Sequence, residues 1–202
     1  MRRGIARIEI CGGIASGKTT LAKLLSGAVF VSVFEDFRRN PFYQGFYRDP
    51  VGTAFETELT FLLQHYHQEK SAVLNKHPFC ADFSTVLDHA YACVTLTPDK
   101  LRLFRLVHKH IETELPFRSL LVHLRCPPEV ELQRIRRRRR RTERTITLAY
   151  LTKINDALDA QTKRLPPSEQ VLVIHSDELD FAHNPQAQVL VRRRVTGVLA
   201  NA

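Results

Sequence analysis

The chain has 202 residues, 44% of them hydrophobic, enough for one α/β domain with a full core and too few for two ordinary domains and a linker. Its formal charge of +9 would ordinarily raise nucleic acid or an anionic membrane as a partner, but Arg134 and residues 136–141 supply seven of the positive charges in one block. No apolar run approaches a membrane span, no secretory leader follows Arg2 and Arg3, and Cys11, Cys80, Cys93 and Cys126 lack CxxC spacing; the composition predicts a cytoplasmic protein with reduced thiols rather than a disulfide or zinc framework.

Along the chain, strand-like apolar runs at residues 5–11, 29–34, 79–82, 120–124 and 171–175 alternate with helical patterns, which predicts a parallel sheet covered on both faces. Residues 12–19, immediately after the first run, read Gly-Gly-Ile-Ala-Ser-Gly-Lys-Thr, the GxxxxGK[ST] phosphate loop, and a helical pattern follows. In that context Gly12, Gly13, Ile14, Ala15, Ser16 and Gly17 wrap backbone around a phosphate, Lys18 reaches the β/γ-oxygens, Thr19 ligates Mg²⁺, and Thr20 continues into a helix whose positive end faces the anion. The chain is therefore expected to bind a nucleoside triphosphate. Phe55, Leu59, Leu62, Leu63 and Tyr66 mark one face of a helix after the second strand. Thr97 and Pro98 open another that carries Leu101, Phe104, Val107, His108, Ile111 and Leu115 to a stop at Pro116, and a further helix is predicted from about 146 to 162, with a breaker at Leu165-Pro-Pro.

A phosphate loop alone leaves hydrolase, switch and kinase open. Glu35 and Asp36 follow the second strand and Asp82 ends the third, where the strand ends of an open α/β sheet converge on the ligand crevice. One carboxylate there can take the proton of an attacking hydroxyl and another can hold a Mg²⁺ hydration shell. The arginine block between two helical patterns reads as a lid that closes on the triphosphate. A helix turns 100° per residue, so several of its arginines must face solvent; without interleaved aromatic residues, a nucleic-acid partner is not expected.

Several motifs, in order, resemble the deoxynucleoside kinases, in particular the bacterial deoxyadenosine/deoxyguanosine kinase branch. They are Phe34-Glu-Asp-Phe-Arg-Arg-Asn-Pro-Phe, Phe46-Tyr-Arg-Asp-Pro, Ala54-Phe, Asp82-x-Ser, Arg138-x-Arg-x-x-Glu-x-x-Ile-x-x-x-Tyr-Leu and Leu179-Asp-Phe. The resemblance implies a P-loop NTPase-type three-layer sandwich: a five-stranded parallel sheet in the order 2-3-1-4-5, helices on both faces and an arginine-rich lid. Residues 1–202 would form a single kinase domain with its lid over about 134–145. It implies transfer of the γ-phosphoryl of ATP, with Mg²⁺, to the 5′-hydroxyl of a deoxynucleoside, and a homodimer packed through helices. Glu35 would be the base and Asp82 the Mg²⁺-side carboxylate. Tyr47 and Glu143 would hold the 3′-hydroxyl, with the Tyr47 ring crowding a ribose 2′-hydroxyl. Arg138 and Arg140 would act on the phosphates and Arg134 would help.

Two positions depart from that pattern, both expected in the acceptor pocket: Phe83 stands where the family usually has an arginine, and Glu58 where it usually has a glutamine that reads the base. An ionised Glu58 offers only acceptors, suited to the N1–H and N2–H donors of guanine, whereas a protonated one imitates glutamine. The reading is thus a purine deoxynucleoside kinase with guanine slightly favoured. Its alternatives are a P-loop kinase of another small hydroxyl compound and a nucleotide-binding regulatory module without turnover.

Overall fold

A computed structural model describes residues 7–27, 30–74, 78–115 and 119–200, without the side chains of 73 and 74. Strand β1 (Arg7–Gly12) enters helix α1 (Lys18–Leu25), followed by β2 (Val31–Val33), a 3₁₀ turn at Phe37–Arg39, a short α2 (Tyr43–Phe46) and the 25-residue α3 (Pro50–Leu74). Then come β3 (Phe79–Ala81), α4 (Thr85–Thr95), α5 (Pro98–Glu114), β4 (Ser119–Arg125), α6 (Pro128–Arg138), a 3₁₀ turn at Arg141–Thr145, α7 (Leu148–Lys163), β5 (Gln170–His175) and α8 (Pro185–Ala200). The strands form one sheet in the order β2-β3-β1-β4-β5, every neighbouring pair parallel, as the resemblance implied. The starts of the first two predicted strands and the stop at Pro116 lie outside the described residues.

Side chains alternate across the strands, so Ile8, Ile10, Leu120, Val122 and Leu124 face one side and meet Leu21 and Ala22 of α1 and Val191 and Val195 of α8. On the other side Cys11, Ala81 and Leu121 meet Leu87 and Ala90 of α4 and Ile154 and Leu158 of α7. Outside α4 a further apolar cluster joins α3 and α5 through Leu62, Phe104, Ile111 and Leu115. The predicted stripe on α3 is correct except at Leu63, which is 47% exposed: the buried face runs through Glu58, Leu62, His65 and Glu69 instead. Three of those four are polar. Each needs a partner to be buried, and the partners are Thr95 for Glu58, Asp88 for His65 and Arg7 for Glu69.

Candidate active site

The carboxyl ends of the strands open into a cavity of about 990 Å³, walled by the phosphate loop, α2, α3, α4, the arginine segment and the loop after β5. Residues 14–20 line it, with Gly17 at φ 107° as the N-cap of α1, a backbone region that favours glycine. Gly12 and Gly13 lie beneath the lining. Their carbonyls accept from Lys18 Nζ, both at 2.9 Å, and a side chain at Gly13 would collide with the buried Glu131 carboxylate on α6. Burial lowers the Lys18 pKa, although Glu35, Glu131 and Asp82 oppose the shift.

Thr19 Oγ1 donates to Asp82 Oδ2 at 2.6 Å, and the Glu35 backbone N–H donates to Asp82 Oδ1 at 2.7 Å. Asp82 thus joins the phosphate loop to the end of β2. Burial raises its pKa, and the bond from Thr19 works against that rise. Two hard oxygen ligands side by side at the mouth of a phosphate loop suit Mg²⁺, which binds through few protein oxygens plus substrate phosphates.

The structure separates the two carboxylates after β2. Asp36 turns outward and accepts from the Arg38 N–H as the N-cap of the 3₁₀ turn, while Glu35 lines the cavity. Burial pushes the Glu35 carboxyl up, but His65, Lys18 and Arg140 outweigh it and hold the pKa below its ordinary value.

Phe83, expected in the acceptor pocket, does not line the cavity. It is fully buried, stacked flat on the His65 ring at 4.0 Å and 6°. Asp82 occupies the crevice side of the turn after β3, Ser84 caps α4 by accepting from the Leu87 N–H, and the side chain between them is directed into the core. Glu58 does line the cavity, 5% exposed, and its Oε1 accepts from Thr95. Burial pushes its pKa up to about 8, so at pH 7 it is mostly the neutral acid. Tyr47 lines the same end, edge-on to Tyr43 and Phe46.

The arginine run is divided by its backbone. Arg139 takes the left-handed conformation (φ 53°) and ends α6, so Arg138 on the last turn and Arg140 beyond the break both turn toward Glu143. Arg138 clasps the buried Glu143 carboxylate through Nε at 2.6 Å and Nη2 at 2.5 Å, and Arg140 adds a contact at 3.4 Å while lying over the Phe37 ring. Arg137 also lines the cavity, whereas Arg136, Arg139 and Arg141 are exposed and do not. Arg134 also lines the cavity, and its guanidinium donates to the carbonyls of Ala15, Ser16 and Ser176, tying the phosphate loop to the turn after β5. Leu179, Asp180 and Phe181 line that end, Phe181 against Gly17.

Asp88 in the cavity wall, His65 behind it, and the aromatic lining of Tyr43, Phe61 and Tyr91 were not singled out from the sequence, and Tyr150, quoted only within the resembling motif, also lines the cavity. A signal was present for His65: the 58, 62, 65, 69 spacing is helical, and it places three ionisable side chains on the buried face of α3.

Comparison with known proteins agrees with the geometry. A family model described as deoxynucleoside kinase matches residues 8–200. The chain is 29% identical over 185 residues to deoxyguanosine kinase of Bacillus subtilis (strain 168), covering 88% of this chain and 89% of that protein. It is 27% identical over 156 residues to deoxyadenosine kinase of Dictyostelium discoideum, covering 74% of this chain and 64% of that one. The fold matches that of deoxyadenosine kinase from M. mycoides with bound dCTP at a TM-score of 0.79, with 18% identity over 97% of this chain and 100% of that chain.

Proposed function

Since the chain belongs to the deoxynucleoside kinase family, we propose that it transfers the γ-phosphoryl group of ATP to the 5′-hydroxyl of a purine deoxynucleoside, with guanine favoured. The observation that carries this reading is the position of Glu35 between the phosphate loop and an aromatic-walled cavity of substrate size. Lys18 and the loop amides hold the donor phosphates. Glu35 takes the proton of the 5′-hydroxyl as its oxygen bonds to the γ-phosphorus and the bond to the β–γ bridging oxygen breaks. Arg138 and Arg140 face the charge that develops on the moving group. Thr19 and Asp82 would hold Mg²⁺, which when bound neutralises phosphate charge. Glu143, fixed by Arg138, and Tyr47 hold the sugar.

The guanine preference is supported by the Asp88 carboxylate in the cavity wall, by Glu58 once it ionises at about pH 8 and above, and by the deoxyguanosine kinase from Bacillus subtilis among the relatives. A lid over about 134–145, a homodimer and a cytoplasmic location belong to the same reading. The four free cysteines suit a reducing compartment, and among the described residues no helix is long and apolar enough to cross a membrane.

The test is product formation from ATP, Mg²⁺ and each of the four deoxynucleosides, read as deoxynucleoside monophosphate. Deoxyguanosine is expected to show the highest kcat/KM. No monophosphate from any of the four overturns the reading, and sedimentation velocity checks the dimer.

A further inference from the structure

Glu35 reaches the cavity from the loop after a three-residue strand, and its side chain keeps 32% of its surface open. A carboxylate with that freedom must be held toward the hydroxyl it serves, since a misplacement of about 1 Å can cost about 10²-fold in rate. Behind it stands His65. The imidazole lies between the rings of Phe83, at 4.0 Å and 6°, and Phe61, at 5.9 Å and 28°. Its Nδ1 donates to both oxygens of the buried Asp88, at 2.9 and 3.1 Å. The two rings fix the plane of the imidazole and Asp88 fixes its rotation about that plane. The remaining nitrogen, Nε2, is buried without a hydrogen-bond partner and lies 3.4 Å from Glu35 Oε1.

Resting on the kinase reading above, we propose that His65 is a positioning residue whose cationic Nε2–H holds the base Glu35 toward the acceptor hydroxyl, with Asp88, Phe61 and Phe83 as its mount. The role is one of orientation. The hydroxyl proton goes to Glu35, the 5′-oxygen bonds to phosphorus, the bridging oxygen leaves, and His65 neither gives nor receives a proton. The same cation lowers the Glu35 pKa and so costs the carboxylate some basicity, while at 3.4 Å it attracts without a full hydrogen bond. The ionised carboxylates facing the imidazole favour its protonated form: Asp88 approaches from α4 and Glu35 from the loop after β2. Glu58 and Glu69 extend from the same helix, and burial raises both of their carboxyls to about 8, so they add negative charge only at higher pH. Burial opposes the charge, but the two nearer carboxylates outweigh it and hold the imidazole near pKa 10.

Phe83 gains a purpose in this arrangement. It carries no charge itself, yet its ring face supports the histidine that does. The cation beside the base therefore comes from α3, while the position after Asp82 supplies a stacking platform.

The experiment has a spectroscopic and a kinetic arm on the full chain. Nitrogen-15 NMR of the histidine-labelled wild-type protein, without substrate, should show both His65 ring nitrogens protonated at pH 8, and Asp88→Asn should move its titration back toward the ordinary histidine range. With ATP and deoxyguanosine, His65→Leu should lower kcat about 10²-fold while leaving both KM values within about threefold, and His65→Gln, which keeps a donor, should lose less. A neutral His65 at pH 7 in the wild type overturns the proposal, whether or not the variants fold. So does a His65→Leu protein with wild-type kcat, and that result leaves the kinase reading standing. A wild-type protein that shows the doubly protonated histidine but phosphorylates no deoxynucleoside overturns the kinase reading, and with it the role of His65 as holder of a base.

Discussion

Thr19 and Asp82, 63 residues apart in the chain, share a 2.6 Å hydrogen bond at the mouth of the phosphate loop, and the second Asp82 oxygen holds the backbone that leads into Glu35. In the proposed reaction one carboxylate would therefore serve both the cation ligand and the approach to the base. Asp82→Asn keeps the shape but removes the charge that a divalent ion would share. The Mg²⁺ concentration for half-maximal rate is expected to rise roughly 10- to 100-fold, as when other groups that support a metal are altered. An unchanged Mg²⁺ titration would place the metal on other oxygens.

In the proposed reaction Lys18 serves the donor phosphates and Glu35 the acceptor hydroxyl, so their removal should give different kinetic signatures. Lys18→Ala is expected to lower kcat by roughly 10²–10³-fold, because it removes a charge in a site that largely excludes water. Glu35→Gln should lower kcat within the 10²–10⁴-fold range of general-base catalysis while ATP still binds with near wild-type affinity by calorimetry. If the glutamine protein also loses ATP, Glu35 supports the donor side rather than the acceptor.

Within the arginine block the geometry forecasts selectivity. Arg138→Ala releases the buried Glu143 from its two shortest contacts and should reduce kcat/KM for the deoxynucleoside by at least about tenfold, in keeping with loss of a charged hydrogen bond. Arg141→Ala, on an exposed residue outside the cavity, should leave it near wild type. Arg137 lines the cavity although its spacing alone did not single it out, so its alanine variant should fall between the two. Equal losses for every arginine, together with salt-sensitive DNA binding, would point to phosphate contacts along a nucleic acid.

Glu58 ties stability to pH. Its carboxyl has a folded pKa near 8 against an ordinary 4.5, so the unfolded chain releases this proton first. Stability from the neutral buried acid is complete below about pH 4.5, declines as pH rises, and is lost once pH passes about 8, at a slope of at most roughly 1.4 kcal/mol per pH unit. Glu58→Gln has no proton to lose. Denaturant melts of the two proteins should coincide near pH 4.5, separate in favour of glutamine up to pH 8, and run parallel above it. The same titration should raise the wild-type preference for deoxyguanosine over deoxyadenosine between pH 7 and 9 and leave that of Glu58→Gln flat. A constant stability gap across the range would mean that Glu58 is ionised throughout.

The phosphate loop was legible in the sequence because its chemistry is local: eight consecutive residues carry the backbone, the cation and the metal ligand, and flanking patterns supply the strand and helix. The sheet order followed from colinear motifs, not from any single strand. What stayed hidden depends on contacts between distant elements. Glu35 and Asp36 are alike in type and position, and only the family resemblance singled out Glu35; the physical reason, a 3₁₀ turn that sends one inward and the other to cap, needed the structure. Phe83 read as a missing cation at the pocket, because nothing in the neighbourhood of residue 83 reveals a histidine from α3 stacked on its ring. Leu63 satisfied a hydrophobic pattern, yet the buried stripe of α3 is largely polar, and its partners lie on α4 and β1.

The left-handed backbone at Arg139 has a consequence for how this segment tolerates change in length. Six identical side chains in a row carry no landmark of their own, so each one's task is set by its count from the helix before it and from Glu143 after it. Removing one arginine alters the total charge by a single unit. Yet it draws Glu143 one residue nearer to the end of α6, and the side chain that now closes the helix has lost the five-residue reach of the present clasp. The run behaves as a ruler, in which length is the information and identity is nearly redundant. A one-residue deletion should therefore be more damaging than replacing any exposed arginine within it, and an equal deletion compensated by an insertion just before Glu143 should restore much of what was lost.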